Sequence, residues 1–117
     1  MANALLMIGW KRPVPGREEE TYAWLMREAM PTFERWRTEG RFERHEIVTL
    51  TPYAGTLNSF VLLFGQREAL DALRRTDEFE AFSIALASRV LDLAVVPGLN
   101  LEGIQALSAR RSSVART

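Results

Sequence analysis

His45 is the only histidine of the chain, and histidine is the only residue whose unperturbed side-chain pKa lies near neutral pH. It lies in residues 42–50, where mixed polarity on both parities predicts an edge strand or a strand beside a wet cleft. On such a strand His45 shares a face with Glu43, Ile47 and Thr49. It could point into a cleft as a general acid or base. A solvated or hydrogen-bonded histidine on an edge strand fits the same pattern, and both interpretations stay open.

Five other residues are candidates for binding a ligand. Arg44 and Glu46 share the second face of the same strand and could together meet a polar substrate. The alternative for them is a surface cross-strand ion pair worth at most ~1 kcal/mol. Tyr53, in the loop that follows, could cap a cleft or cover the edge of the core. Trp10 ends an apolar run and Asn58 stands near a turn, where packing and local polar roles are the alternatives.

The composition excludes several classes of function. Fifteen basic and fifteen acidic residues cancel within 117 residues, so no electrostatic footprint for nucleic acid is visible. The absence of cysteine removes disulfides, thiolate nucleophiles and iron–sulfur clusters. With one histidine, an imidazole-based metal site would need carboxylates for its other ligands. We expect neither a cofactor nor a metal.

The apolar start of the chain, residues 4–10, predicts a buried strand. It is too short to span a bilayer. It also lacks the preceding basic residue and the small-residue cleavage site of a signal peptide, and Lys11 and Arg12 follow it. We therefore expect a cytoplasmic protein without a membrane segment.

The order of patterns along the chain predicts a single α+β domain over residues 1–103. A helix is expected over 17–39, with a kink near 28–30 caused by Pro31. A hairpin follows, with strands at 42–50 and 56–64. Helical patterns then cover 66–93, with Asp77 and Glu80 as a capping pair. A last strand begins at 94 and is interrupted at Pro97-Gly98. Residues 104–117 are expected to form a polar, mobile tail.

This order is β-α-β-β-α-β, which packs as a ferredoxin-like four-stranded antiparallel sheet with both helices on one face. Aromatic and apolar residues at helical spacing are expected to face the sheet as core. They are Tyr22, Leu25, Met26, Ala29, Phe33, Trp36, Phe79 and Phe82. The alternative for the aromatic ones is that they line an apolar cavity between helices and sheet, where a small hydrophobic ligand could sit. The central strands are apolar on both faces, although helices cover only one. Since a monomer seldom leaves such a patch in water, we expect a homodimer that pairs sheet against sheet.

The chain resembles the dimeric α/β-barrel superfamily from residue 4 to about 103, and is most similar to small bacterial members without an assigned activity. Three stretches carry the resemblance. They are Pro15-Gly16-Arg17-Glu18, Gly40-Arg41-Phe42-Glu43, and the ten residues Leu70-Asp71-Ala72-Leu73-Arg74-Arg75-Thr76-Asp77-Glu78-Phe79. The resemblance implies ferredoxin-like subunits that pair through their sheets. Relatives include cofactor-independent and haem-degrading monooxygenases and lactone isomerases, so analogy alone assigns no activity.

Trp10, Asn58 and His45 match the residue types of the Asn/Trp/His set in haem-degrading relatives. Their placement differs, because residues 66–93, where those enzymes carry the haem-binding histidine, contain none. The leading hypothesis is a homodimer that binds a small, mainly apolar molecule. One alternative is a cofactor-independent monooxygenase or isomerase with His45 as acid or base and Trp10 shaping the pocket. The other is a non-catalytic structural or regulatory dimer.

Overall fold

A computed structural model of the chain describes residues 2–116. The main sheet is built from four strands, which are β1 (Ala4–Trp10), β3 (Arg44–Thr49), β4 (Ser59–Gly65) and β6 (Ala94–Leu99). They lie in the order β3-β4-β1-β6, and every neighbouring pair is antiparallel. The predicted strand order and hairpin are confirmed. The sequence did not predict a second, two-stranded ladder, in which β2 (Arg12–Pro13) pairs with β5 (Val90–Leu91).

The first helical segment is made of three pieces. Helix α1 (Glu18–Trp24) passes into a π-helical turn (Leu25–Ala29), and helix α2 (Met30–Thr38) follows. The amide of Met30 donates to the carbonyl of Leu25, five residues earlier. Pro31 has no amide hydrogen and its ring crowds the preceding turn, so the chain widens just before it. The expected irregularity at Pro31 is present, but it is a π-helical turn that begins upstream of the predicted kink.

One face of the sheet carries the core. Ala4, Leu6 and Ile8 of β1 point to this face, and the register places Leu63 opposite Leu6 and Val61 opposite Ile8. The helices contribute an aromatic cluster above these strands, formed by Phe33, Trp36, Phe79 and Phe82. The expectation that Tyr22 and Met26 belong to this stripe is wrong, because their side chains are 65% and 42% exposed. The π-helical turn alters the rotation of the helix between these two residues and Phe33.

The second helical segment divides into α3 (Arg67–Arg74) and α4 (Asp77–Ala87). The hydroxyl of Thr76 caps α4 by accepting from the amide of Phe79, at 3.1 Å. The capping residue is therefore Thr76, and the predicted capping pair of Asp77 and Glu80 is displaced by one position. A threonine in extended backbone before an acidic first turn is a favoured start for a helix.

Strand β6 runs without a break, contrary to the predicted interruption at Pro97-Gly98. Pro97 lies opposite Leu6 and Gly98 opposite Leu5, in the same register as the residues before them. The strand is at the edge of the sheet, where a proline without an amide hydrogen is tolerated on the unpaired side.

The second face of the sheet is covered by no helix among residues 2–116 and is here called the open sheet face. Its side chains include Leu5, Met7, Val48, Phe60, Leu62 and Val96. They are half-buried or exposed, while the residues between them on β1 and β4 are buried. Both central strands are thus apolar on both faces, as predicted.

Residues predicted to form a loose tail continue as helix α5 (Leu101–Arg116). Asn100 fixes its start, since its side-chain oxygen accepts from the amide of Gly103 at 3.0 Å and its side-chain nitrogen donates to the carbonyl of Ala2 at 2.8 Å. The sequence did not predict this helix. Its mobility stays a prediction.

Replacing Gly103 with alanine is expected to displace the first turn of α5. A methyl group at this position would collide with the backbone carbonyl of Asn3, which is held in place beside β1. Alanine raises helix propensity by about 1 kcal/mol, but overpacking against backbone costs about 1–3 kcal/mol, so we expect a net loss of stability. Urea unfolding would measure the loss, and amide exchange would locate it in α5. Ser108→Ala, on the exposed side of the helix, is the control. An unchanged exchange rate in α5 of Gly103→Ala would contradict this packing.

Candidate functional site

A groove of about 570 Å³ lies between the helix-bearing face of the sheet and α1. It opens at the end of the sheet where β1 finishes, β3 finishes and β4 begins. We call it the α1 groove. Its lining residues are Trp10, Pro13, Glu18, Glu19, Tyr22, Ala23, Leu25, Met26, Ile47, Thr49 and Ser59. Most of these side chains are apolar.

The sheet provides the floor of the α1 groove. Trp10 is at the end of β1 and is 3% exposed, so its indole is a fixed part of this floor. The antiparallel register places Ser59 opposite both Trp10 and Thr49, which brings three strands together at one point. Pro13 closes one end, where the β2–β5 ladder holds the chain that leaves β1.

The helix provides the opposite wall. Ala23 lies in the last turn of α1, and Leu25 and Met26 begin the π-helical turn. A π-helical turn adds a residue to the helical circumference, and such turns are frequent at functional sites. Here it turns Leu25 into the core, while Met26 stays half exposed at the groove. The wall therefore combines one fixed and one adaptable apolar side chain.

The polar groups of the α1 groove occur at two levels. On the floor, the hydroxyl oxygens of Thr49 and Ser59 lie 3.3 Å apart, so either can donate to the other. At the mouth are the carboxylates of Glu18 and Glu19, in the first turn of α1. The backbone amides of Glu18 and Gly16 lower the pKa of the Glu18 carboxyl, and the hydrogen bond from Gly16 measures 3.2 Å.

Trp10 is the one predicted binding residue that lines the α1 groove. His45 points to the same face of the sheet as Ile47 and Thr49, but it does not line the groove. Its ring packs between Phe33 and Phe42, with centroid distances of 5.9 Å to each. Its Nδ1 is buried without a hydrogen-bond partner among the described residues.

Arg44 and Glu46 lie on the open sheet face, across the sheet from the groove. They form an ion pair within β3, with the Arg44 Nη1 to Glu46 Oε1 distance at 2.9 Å. The Arg44 guanidinium also lies 3.8 Å from the centre of the Phe64 ring. This pair is formed along one strand rather than across two.

Tyr53 and Asn58 belong to the hairpin loop. The Tyr53 hydroxyl donates to the carbonyl of Leu57 at 2.7 Å, which closes the loop on itself. The backbone amide of Asn58 donates to the carbonyl of Trp10 at 3.0 Å. The side-chain Oδ1 of Asn58 is buried without a partner among the described residues. Neither residue lines the α1 groove, so the predicted binding residues do not form one site.

Sequence reasoning missed most of the α1 groove. The helical spacing predicts Tyr22 and Met26 in the core stripe, and Glu18 and Glu19 are not among the predicted binding residues. The signal that could have found them is the position of Pro31, because a proline inside a helix displaces the turn before it. That displacement turns Tyr22 and Met26 out of the core stripe.

No group of three or more potential metal-ligating side chains occurs within residues 2–116. Over the same residues, no helix has the length and apolar character needed to cross a membrane.

The strand order, the antiparallel pairing and the placement of α1 to α4 define a ferredoxin-like α+β protein with a groove beside its first helix. Two solved structures share this fold. HapK from Hahella chejuensis aligns with a TM-score of 0.62 at 14% identity, over 83% of this chain and 92% of that one. A dimeric protein of unknown function and ferredoxin-like fold from Bacteroides fragilis aligns with a TM-score of 0.58 at 14% identity, over 83% and 96%.

These likenesses show the fold. The sequence matches no protein-family model and no curated protein.

Proposed function

We propose that the protein is a homodimeric α/β-barrel protein that binds a small, mainly apolar molecule in the α1 groove. The observation that carries this proposal is the groove itself. Its volume of about 570 Å³ falls within the range of about 300–1,000 Å³ that is usual for small-molecule sites. Mostly apolar walls with a few convergent polar groups are also usual for such sites.

The arrangement of the groove favours a ligand over a filled, purely structural interior. Trp10 and Leu25 are buried and hold the floor and one wall in place. Met26 and Tyr22 stand at the opening, where their exposed side chains can adjust to a ligand. A preformed floor reduces the ordering that binding requires, and a movable rim can adapt to the shape of the ligand.

Two observations support the dimer. The open sheet face presents apolar side chains from all four strands, and a monomer seldom leaves a contiguous patch of this kind in water. The Bacteroides fragilis protein of the same fold is described as dimeric. Pairing through this face would leave the α1 groove open, because the groove lies on the other side of the sheet.

A binding role is favoured over the alternative of a monooxygenase or isomerase that uses His45 as its base. A general base must come within hydrogen-bond distance of the proton it removes. The ring of His45 packs against Phe33 and Phe42 and does not line the groove. The proposed function therefore assigns no reaction to this residue.

Filling the α1 groove with a tryptophan at position 23 is expected to abolish binding of apolar molecules. Ala23 lines the groove and is half-buried, so a larger side chain there must extend into the space. The probe is N-phenyl-1-naphthylamine, a neutral molecule whose fluorescence rises in apolar surroundings. We expect its affinity to fall by about tenfold or more, equivalent to about 1.4 kcal/mol or more.

Ala87→Trp is the matched control, since it adds the same side chain at an exposed position outside the groove. Tyr22→Ala is a second groove variant that should fold normally, because Tyr22 is exposed, and it should weaken probe binding by a smaller factor. Equal affinities for wild type, Ala23→Trp and Tyr22→Ala would contradict the proposed site.

A further inference from the structure

The charges at the mouth of the α1 groove have one sign. Among the described residues that line it, the charged side chains are Glu18 and Glu19, and no arginine or lysine joins them. Both are exposed glutamates in the first turn of α1. A ligand with one charged end would therefore meet two carboxylates as it enters.

Two arginines lie near this mouth, Arg17 and Arg12, and neither lines the groove. Arg17 pairs with Glu20 and also donates to the carbonyl of Ser88 at 3.0 Å. The charge of Arg12, which does not line the groove, also lowers the pKa of the Glu18 carboxyl, but less than the backbone amides do. Hydrogen bonds from the backbone amides of Glu18 and Gly16 lower the pKa of the Glu18 carboxyl at the rim.

Aromatic side chains point to the same kind of ligand. Trp10 and Tyr22 line the same groove as the two carboxylates, Trp10 as a buried residue of the floor and Tyr22 as an exposed residue of the rim. The face of an aromatic ring attracts cations, most strongly for tryptophan. Carboxylates together with aromatic rings are a combination that favours an ammonium group over a carboxylate.

We propose that the α1 groove selects hydrophobic cations: molecules with an apolar body that fills the groove and an amine or quaternary ammonium end that lies beside Glu18 and Glu19. This inference rests on the proposed function and names the chemical class of its ligand. The apolar body meets Leu25, Met26 and Ile47. The hydroxyls of Thr49 and Ser59 are available to a polar atom within the ligand.

The test uses three small molecules with the same phenylbutyl body and different ends. They are 4-phenylbutylamine, 4-phenylbutan-1-ol and 4-phenylbutyrate, each measured by displacement of N-phenyl-1-naphthylamine from the wild-type protein. At about 0.01 M salt we expect the amine to bind about tenfold more tightly than the carboxylate, with the alcohol between them. At about 1 M salt the charges are screened and the preference should nearly vanish.

Glu18→Gln with Glu19→Gln should reduce the preference for the amine while leaving the affinity of the alcohol unchanged. Glutamine keeps an oxygen that can accept the Gly16 hydrogen bond, so the rim should keep its shape. Glu102→Gln is the control, because Glu102 also lies in a helical first turn but does not line the groove.

The outcomes separate the two proposals. Tighter binding of the amine that depends on Glu18 and Glu19 supports the inference. Equal binding of all three molecules, or a preference for the carboxylate, overturns it and leaves apolar binding in the groove intact. Binding of the probe that Ala23→Trp does not change removes the groove as the site, and the inference fails with it.

Discussion

Met7→Glu is expected to convert the protein from a dimer to a monomer. Met7 is at the centre of the open sheet face, paired with Leu62 on one side and Val96 on the other. In a sheet-to-sheet dimer a glutamate here would be buried, and neither neighbouring strand offers a cation directly opposite it. Burying an unpaired charge costs several kcal/mol, which is enough to separate a micromolar dimer. Sedimentation velocity across a concentration series would measure the change in mass.

Ile84→Glu is the matched control for this substitution. Ile84 is on α4, and its side chain is 63% exposed on the opposite side of the molecule from the open sheet face. The same charge placed there should leave the dimer unchanged. If Met7→Glu and wild type sediment identically at every concentration, the open sheet face is not the interface.

Trp36→Ala is expected to cause the largest loss of stability of any single substitution considered. Trp36 is 0% exposed and contacts three aromatic rings, with centroid distances of 6.0 Å to Phe33, 5.8 Å to Phe79 and 5.5 Å to Phe82. Truncating a buried tryptophan to alanine costs about 3–5 kcal/mol, because the packing contacts of the ring are lost and a cavity is left in their place. Chemical denaturation monitored by circular dichroism would give the free energy of unfolding. Trp24→Ala, at a partly buried residue beside the core, should cost less.

Trp36→Phe isolates the polar role of this residue. The Trp36 Nε1 donates to Oε1 of Glu78 at 2.5 Å, and Arg35 pairs with the same carboxylate. Hydrogen bonds from Arg35 and then Trp36 lower the pKa of Glu78. A carboxyl whose pKa is lower in the folded state than in the unfolded state stabilises the protein at pH values above the unfolded-state pKa. This contribution is lost as the pH falls through the folded-state pKa. The stability difference between wild type and Trp36→Phe should therefore be largest near neutral pH and smaller in acid. A difference that grows as pH falls would contradict this role.

Most of the fold could be predicted because it depends on patterns that local sequence records. The apolar runs of β1 and β4 and the spacing of Phe33, Trp36, Phe79 and Phe82 follow the periods of strand and helix. Together with their order, these patterns leave few packings. The exceptions arise where long-range pairing decides the structure. Continuity of β6 through Pro97 depends on its pairing with β1, and the start of α5 depends on contacts of Asn100 with the first residues of the chain.

Less of the candidate site could be predicted. Trp10 is a candidate because it matches a residue type of the Asn/Trp/His set in haem-degrading relatives, whereas Tyr22 and Met26 follow the same helical spacing as the core residues. Only the π-helical turn before Pro31 separates them from the core, and helical periodicity assumes a regular helix. The chemistry of imidazole makes His45 a candidate, but the rings that it packs against, Phe33 and Phe42, are set by how α2 and the start of the hairpin pack together. Its catalytic role stays a prediction.

The methionine methyl groups allow the most direct test of ligand binding in the α1 groove. Met26 lines the groove, Met7 lies on the open sheet face, and Met30 packs beside the core. We would label these methyl groups with carbon-13 and record their spectra while titrating N-phenyl-1-naphthylamine. If the ligand binds in the α1 groove, we expect a saturable shift of the Met26 signal, with the Met7 and Met30 signals nearly unchanged. A saturable shift of Met7 with Met26 unmoved would place the ligand on the other side of the sheet and contradict the account.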